Sequence, residues 1–443
     1  MRPLSVVFAL TWLGVGAGCS SPDATGPSVI TTSDFTLTPS QQWAGGSVEV
    51  RSVAFTHLVD GQYRILAGAD TLTVTRLDDS TVAVAPPDRG TRTVGFSIVG
   101  GNTAALLGSV QFVGFAGVNA PDAQFGGNYE AWPAGTIGAT GVLGWVNDSG
   151  TGYSGTVATL DLRTGHVTTY SGLGYHGSYG PAPSYLPDVV TTSISTSPAA
   201  AVHLSDTHDT LVKIAIPGSA RTDYLISPYV EFHTLPHSAY ARTSTDSGTT
   251  WQTVKDTVYL NSTWQLVLSP TKGSATFING WSDSGGVVLD ASTGLTRYRL
   301  TRMREVDAAA FSPDGTVLYV AGSSTGSGIA QSLEAIDAAT GVALHVDTLL
   351  GGTAVSAVMD PAGPQLFIAV DRPDGTLALN VYDASTLQRT ATLHSTATGY
   401  DLTRFIQSGA SMADRAVYVA RSGGMIARFD VLPGSGTLAP GYR

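Results

Sequence analysis

One residue near the start of the chain has a side chain that can be modified covalently. Cys19 is the single cysteine among the 443 residues, and it directly follows Gly16-Ala17-Gly18. Without a second cysteine it cannot form an internal disulfide, so its thiol is available for another reaction. The apolar segment before it, residues 4–15, is too short to span a bilayer and is typical of an export signal. This pattern favours export followed by modification of the thiol.

Small residues directly before a lone cysteine resemble the signals of bacterial lipoproteins, in which the cysteine is acylated and becomes the new N-terminus. The resemblance implies a signal peptide over residues 1–18 and a lipid anchor on Cys19, with an ordinary cleaved signal as the alternative. Residues 19–33 are rich in Ser, Thr, Pro and Gly and are expected to form a flexible tether. We therefore expect an exported protein held at a membrane of the bacterial cell envelope, on the periplasmic or surface side of the outer membrane.

A Tyr-rich stretch over residues 170–186 has the composition of a recognition surface. Tyr175, His176, Tyr179 and Tyr185 stand there among Gly, Ser and Pro. Tyrosine rings supply large amphipathic contact areas at a low cost in conformational entropy. These four residues are our candidate ligand surface. The alternative is that part of the stretch forms a strand whose tyrosines pack between neighbouring sheets.

Residues 244–251 read Ser-Thr-Asp-Ser-Gly-Thr-Thr-Trp, which matches the Asp-box pattern through Ser244, Asp246, Gly248, Thr250 and Trp251. The motif resembles the Asp boxes of sialidases and many other propellers, where it caps a hairpin. A sialidase-type glycosidase would also need an arginine triad, a nucleophilic Tyr with a Glu partner and a general acid. The Arg-Ile-Pro segment of those enzymes is missing here. We interpret the motif as structural and assign no catalytic residue.

The spacing of potential ligand residues does not indicate a metal or cofactor site elsewhere in the chain. Histidines and aspartates gather over residues 203–237, yet no HxH or HExxH pair occurs there. Neither a phosphate-binding loop nor a dinucleotide fingerprint is present, so we predict neither a metal nor a cofactor. Four arginines alternate in the sequence and are expected to share one side of an outer strand: Arg297, Arg299, Arg302 and Arg304.

The composition indicates an all-β chain. Only 5 of the 34 acidic residues are Glu and only 3 of the 23 basic residues are Lys, whereas Gly occurs 52 times. Glu and Lys favour helices, while Asp and Gly favour turns. The net charge of -11 argues against nucleic acid and anionic membrane surfaces as partners.

Two landmarks recur over residues 117–434. One is an Asp that ends a strand before a turn, at steps of 40 to 47 residues: Asp161, Asp206, Asp246, Asp290, Asp337, Asp383 and Asp430. The other is a Pro after an apolar strand: Pro228, Pro270, Pro313 and Pro361. A repeat of about 40–45 residues is typical of a β-propeller blade of four strands, so the ladder predicts seven blades. In each turn we expect the Asp to bind its own backbone and a Gly to take positive φ.

The clearest blade carries AAFSPDGTVLYVA over residues 309–321 and AIDAATG over residues 335–341. These segments resemble the YVTN/WD-repeat-like propellers of bacterial surface proteins. Residues 34–116 alternate short strands with turns such as PPDRG and resemble immunoglobulin-like domains of the IPT/TIG type, which are usually spacers or binding modules. The expected fold is all-β, a seven-bladed β-propeller over residues 117–443 preceded by a small immunoglobulin-like β-sandwich. Either residues 431–443 or the segment near residues 129–132 would supply the last strand of the ring.

The most favoured function is non-enzymatic binding of a protein or glycan at the cell envelope. The alternative is a secreted propeller enzyme acting on glycans, either glycoside hydrolase/sialidase-like or lyase/lactonase-like. Its sign would be two acidic residues about 5–10 Å apart in the central pocket of one face. A scaffold inside an envelope complex would instead show a large apolar surface patch.

Overall fold

The structure is a computed structural model that describes residues 34–56, 58, 61–100, 103–120, 122, 129–137, 140–148, 153–170, 188–191, 201–204, 212–214, 221–223, 229–235, 238–244, 252–253, 262–269, 274–281, 286–290, 295–324, 331–348, 350–360, 363–398, 406–411, 415–421 and 425–434. Within these ranges the chain is all-β apart from a 3-10 turn at Val53–Thr56. No helix in the described part is long and apolar enough to cross a membrane.

The first nine strands form a β-sandwich of two sheets. One sheet contains, in spatial order, Thr36–Thr38 (β1), Val48–Arg51 (β3), Thr81–Val84 (β7) and Val74–Arg76 (β6). The other contains Gln41–Trp43 (β2), Thr103–Val113 (β9), Arg92–Gly100 (β8), Tyr63–Ala67 (β4) and Asp70–Thr71 (β5). Strand β3 alternates as expected, because Val48 and Val50 are buried in the core while Glu49 and Arg51 are exposed.

Seven further sheets follow in the described ranges, each of them a blade, and the first six have their strands in chain order outward from the first strand. Blade one comprises Tyr129–Ile137 (β11), Thr140–Asp148 (β12), Tyr153–Asp161 (β13) and Val167–Tyr170 (β14). Blade two comprises Asp188–Thr191 (β15), Ala201–Leu204 (β16), Val212–Ile214 (β17) and Arg221–Asp223 (β18). Blade three comprises Tyr229–Leu235 (β19), Ser238–Ser244 (β20) and Gln252–Thr253 (β21). Blade four comprises Ser262–Leu268 (β22), Ser274–Trp281 (β23), Gly286–Asp290 (β24) and Thr296–Leu300 (β25). Blade five comprises Ala308–Phe311 (β26), Val317–Ser323 (β27), Gln331–Asp337 (β28) and Ala343–Asp347 (β29). Blade six comprises Thr353–Met359 (β30), Gln365–Asp371 (β31), Thr376–Asp383 (β32) and Gln388–Thr398 (β33). The last comprises Ile406–Ser411 (β34), Ala416–Arg421 (β35), Ile426–Asp430 (β36) and an earlier strand, Phe115–Asn119 (β10).

The blades close into a ring. The first strand of each blade contacts the first strand of the next, and β34 of the seventh blade contacts β11 of the first. The predicted all-β seven-bladed propeller is therefore confirmed. Between blades, the interior is apolar: one cluster joins blades four and five, a second joins five and six, and a third joins six and seven.

Ring closure uses neither of the two expected segments. Strand β10, which comes directly after the sandwich, pairs antiparallel with β36 as the outer strand of the seventh blade. The segment near residues 129–132 instead belongs to β11, the inner strand of the first blade. The strand pairing of the sandwich ends at Val113, and Phe115 already pairs within the propeller, two residues before the expected propeller start at 117. Closure thus joins residues more than 300 positions apart.

The sandwich is docked against the outer strands of the propeller. Trp43 packs against the apolar cluster of blades six and seven. Asp88 accepts a hydrogen bond from the backbone N–H of His394 at 3.1 Å. The N–H of Asp430 donates to the carbonyl of Gly114 at 2.7 Å, and Gly114 is the residue that connects the last strand of the sandwich to β10. These contacts make the sandwich a fixed mount for the last two blades.

The Asp landmarks act as predicted at Asp161, Asp337 and Asp383, except that Leu387 and not a Gly takes the positive φ in the turn after Asp383. Asp337 accepts hydrogen bonds from the N–H groups of Ala339 and Thr340, at 3.0 and 2.8 Å, and Gly341 has a φ of 76°. Equivalent bonds form at Asp161 and at Asp383. The hydrogen bonds from the Thr340 side chain and backbone lower the pKa of Asp337 below its ordinary value. These three aspartates therefore stabilise turns, whereas Asp430 accepts a hydrogen bond from Arg428 Nε at 2.9 Å. The turn after Asp290, and Asp206 and Asp246 themselves, lie outside the described residues.

Candidate functional site

A connection between two blades carries the first unusual acidic residues. After β25 ends at Leu300, residues 301–307 lead to β26 and run along the end of β27. The N–H of Arg304 donates to the carbonyl of Ser323 at 2.8 Å, and that of Asp307 donates to Ala321 at 2.9 Å. The connection is therefore held like an extra piece of strand. It places Glu305 and Asp307 at the edge of the propeller where the first strand of each blade begins, which we call the upper edge.

Gly322 permits this close approach. A Cβ atom built on Gly322 would lie 2.0 Å from the carbonyl oxygen of Glu305, well inside any van der Waals contact. Only a residue without a side chain fits beside the connection. The position of the two carboxyl groups is thus set by backbone packing.

A hydrogen-bonded chain links the carboxyl groups to the next blade. Gln331 donates through Nε2 to Asp307 Oδ2 at 3.2 Å and to Ser323 Oγ at 3.3 Å. Ser323 Oγ donates in turn to Glu305 Oε2 at 3.3 Å. The carbonyl oxygen of the Gln331 side chain accepts from the N–H of Ala354, at 3.4 Å, in β30 of blade six. Glu305, Asp307 and Gln331 therefore sit at the junction of blades five and six.

The surroundings shift the proton affinity of both acids upward. Burial and, to a smaller extent, the negative charge of Glu305 raise the pKa of Asp307 to about 7, against the opposing effect of the Gln331 hydrogen bond. Burial also raises the pKa of Glu305, against the hydrogen bond from Ser323 and the charge of Arg304. Near neutral pH, Asp307 is consequently divided between its neutral and charged forms. Such a pair can transfer a proton or hold a cation.

A third desolvated carboxyl group lies at the upper edge of blade six. Asp371 ends β31, pairs with Thr353 at the start of β30, and is 8% exposed. Its Oδ1 atom is buried without a hydrogen-bond partner. Burial raises its pKa, and the charge of Asp374 adds to the effect. The start of β30 therefore has Asp371 on its neighbouring strand and the Gln331–Asp307 contact on its other side.

Glu334 provides the contrast, because it has a cationic partner. This buried residue of β28 accepts from Arg302 Nε at 3.0 Å. Burial raises the pKa of Glu334, while the charge and the hydrogen bond of Arg302 lower it. No comparable ion pair is made by Glu305, Asp307 or Asp371 within the described part of the chain.

The arginines of this region do not form one row. Strand β25 ends at Leu300, so only Arg297 and Arg299 share a side of it. Arg297 donates to Asp290 at 2.6 Å within its own blade, and Arg302 pairs with Glu334. The expectation of one shared side was wrong, because the three-residue step from Arg299 to Arg302 would reverse the side even in a continued strand.

The residues nominated from motifs lie mostly elsewhere. Ser244 ends β20 in blade three. The other nominated residues lie outside the described residues: Cys19, Tyr175, His176, Tyr179, Tyr185, Asp246, Gly248, Thr250 and Trp251. In the described ranges, no three or more His, Cys, Asp and Glu side chains are grouped as a metal site.

Motif reasoning missed the Glu305–Asp307 pair. A signal was present, since Glu is rare in this chain and Glu-x-Asp directly precedes the first strand of a blade. Burial and the contact with Gln331, 24 residues later, are tertiary properties and leave no local pattern.

Comparison with known proteins gives a fold-level likeness only. No protein-family model matches the chain, and a search of curated proteins gave no match. Among solved structures, a chain of the mitotic checkpoint complex matches with 14% identity and a TM-score of 0.37, covering 96% of this chain and 99% of that one. Sqt1 of Chaetomium thermophilum matches with 15% identity and a TM-score of 0.43, covering 72% of this chain and 87% of that one. The fold assignment rests on the sheets and the closed ring of this chain.

Proposed function

We propose that this chain is an exported bacterial lipoprotein whose propeller binds a protein or glycan of the cell envelope without chemical turnover. The observation that carries the binding role is the upper edge of blades five and six. Rigid strands hold desolvated carboxyl groups there that form no salt bridge in the described part of the chain, although the charge of Arg304 acts on Glu305. Groups held this way are a form of preorganisation for a ligand. With a net charge of -11, nucleic acid is not a fitting ligand.

The anchor in this proposal is an acylated Cys19 at the outer membrane, on its periplasmic or surface side. The docked sandwich would then serve as a mount that holds the propeller in one orientation at the end of the tether. Each CH₂ of an acyl chain buried in the bilayer contributes about 0.8 kcal/mol, so two or three chains hold the protein firmly.

We expect the Cys19→Ser variant to lose metabolic labelling with radioactive palmitate and to move from the membrane fraction to the soluble fraction of the host cell. The reason is that serine cannot carry the thioether-linked lipid. Ser20→Ala is the matched control and should remain labelled and membrane-bound. A Cys19→Ser protein that stays in the membrane fraction would contradict the anchor while leaving the binding role intact.

A specific observation favours a second candidate function, a glycan-active enzyme. Two neighbouring carboxyl groups, one with a pKa raised to about 7, are what acid catalysis at a glycosidic bond requires. In that role the neutral form of Asp307 would be the general acid, and Glu305 would be the second carboxylate.

One experiment separates the two functions. Full-length protein in detergent would be screened against glycans and envelope polysaccharides, with products measured by mass spectrometry for every ligand that binds. The expected result is binding with no product. Product formation that is abolished in Asp307→Asn and retained in Glu334→Gln would overturn the non-enzymatic proposal in favour of the enzyme.

A further inference from the structure

The start of β30 is bordered by acidic groups from two blades. Asp307 reaches it through Gln331, which contacts the N–H of Ala354, and Asp371 lies opposite Thr353 on the neighbouring strand. Glu305 belongs to the same hydrogen-bonded chain through Ser323. Carboxyl groups from two blades thus border one strand at a ring junction.

An independent observation at this place indicates an unfilled interaction. Asp371 is 8% exposed, and its Oδ1 atom has no hydrogen-bond partner. A buried carboxylate oxygen without a partner is strongly unfavourable, and such groups are rare in folded proteins. The equivalent position of blade five is Ser323, whose hydroxyl is bonded on both sides. At this position blade six therefore has an unpaired acceptor, Asp371 Oδ1, whereas the corresponding Ser323 hydroxyl of blade five already has two hydrogen bonds.

Glu305, Asp307 and Asp371 all gain from a positive charge. Burial has removed part of their water and raised their pKa values, so a cation beside them would restore the charged forms. An ion pair in such a desolvated position is also stronger than one on an open surface. An anionic ligand would be repelled by these carboxylates, whose burial is already unfavourable for their charged forms.

The spread of the acceptors points to an organic cation. A compact metal ion needs oxygen ligands that converge on one point at about 2.0–2.6 Å. Here the carboxyl groups stand on two sides of β30, in different blades. A guanidinium with five N–H donors, or an ammonium with three on a flexible stem, can serve separated acceptors from one side chain.

We propose that the upper edge at the start of β30 binds a lysine or arginine side chain of a partner protein. This inference rests on the proposed binding function and names the chemistry of the partner. The acidic side chains recognise the cation, and the rigid strands of blades five and six hold them in place.

The test is fluorescence anisotropy with full-length protein in detergent at pH 8 and 0.15 M salt. The labelled probes are the peptides Gly-Lys-Gly-Lys-Gly and Gly-Arg-Gly-Arg-Gly, with Gly-Glu-Gly-Glu-Gly as the acidic counterpart. We expect one or both basic peptides to bind and the acidic one not to bind. The two basic probes decide whether an ammonium or a guanidinium is preferred.

The variant Asp307→Asn/Asp371→Asn should weaken binding of the preferred peptide at least tenfold. Its matched control is Asp337→Asn/Asp383→Asn, which removes the same formal charge from the same two blades at turns on the opposite edge. Asparagine can keep those turn bonds, so this control should stay within twofold of the parent protein. Lowering the pH from 8 to 6 should also weaken binding, because Asp307 takes up a proton.

The remaining outcomes count against the inference in distinguishable ways. Equal loss of affinity in both double variants would show non-specific attraction to an acidic protein and would overturn the site. Absence of binding to either basic peptide would overturn it too. If the glycan or protein screen still detects a ligand in those cases, the binding function stands and only the cation site fails. Should the double variant not fold, the Asp307→Asn single variant and the pH dependence test the site instead, and unchanged peptide binding in both would overturn it.

Discussion

Replacing Phe429 with alanine is expected to lower the free energy of unfolding by about 4 kcal/mol and to loosen the closed ring, since burial and cavity terms for Phe→Ala usually sum to about 3–5 kcal/mol. The side chain is 0% exposed and belongs to the apolar cluster between blades six and seven. It packs on Phe115 of the closing strand, with ring centroids 5.5 Å apart. The same change therefore removes core packing and an aromatic contact of β10.

Hydrogen exchange followed by mass spectrometry would show the second effect. We expect the amides of β10 to exchange faster in Phe429→Ala, because its pairing with β36 has lost its side-chain support. The matched control is Phe311→Ala, a buried phenylalanine of the cluster between blades four and five. It should cost a similar free energy and leave the exchange of β10 unchanged. Unchanged protection of β10 in Phe429→Ala would mean that the ring closes without this contact.

Replacing Asp307 with asparagine is expected to make the protein more stable at pH 8, by about 2 kcal/mol, and to change its stability little at pH 4. The folded state raises the pKa of this acid from 3.8 to about 7, so folding favours the protonated form. Stability is then lost as the pH rises from about 4 through 7, where the charged form must be buried. Three units of pKa correspond to about 4 kcal/mol, which we halve because the side chain keeps partial contact with water. Asparagine is neutral at every pH and can still bond to Gln331.

Urea unfolding at the two pH values measures this difference. Asp337→Asn is a control of opposite sign, because hydrogen bonds in its turn lower the pKa of Asp337. That variant should therefore lose stability at pH 8 and show little change below the ordinary pKa of aspartate. If Asp307→Asn instead destabilised the protein equally at both pH values, the hydrogen bond of Asp307 to Gln331 would outweigh its charge.

The blade repeat was predictable because its signals are local. An Asp that ends a strand binds the N–H groups two and three residues later, so Asp337 and its equivalents mark turns regardless of the rest of the fold. The apolar strands around these turns repeat at the same period, and that period sets the number of blades. The blade segment recognised at residues 309–321 indeed coincides with two strands of one blade, Ala308–Phe311 and Val317–Ser323.

The closing strand was not predictable in the same way. Phe115–Asn119 resembles any short strand in the sequence, and the predicted boundary after residue 116 divided it between the sandwich and the propeller. Its partner β36 lies more than 300 residues away, and neither segment has a sequence feature that indicates pairing with the other. The same holds for the carboxyl groups of the upper edge, whose burial depends on Gln331 and on the backbone beside Gly322.

The sequence by itself determined that the chain is all-β, that its blades number seven and that the repeated aspartates belong to turns, because these properties follow from periodicity and from bonds within a few residues. It also singled out Cys19, whose predicted acylation depends on the residues directly before it. The tertiary structure alone decided which strand closes the ring and which acids lose their water. Both depend on contacts between distant segments, and such contacts exist only once the blades have packed together.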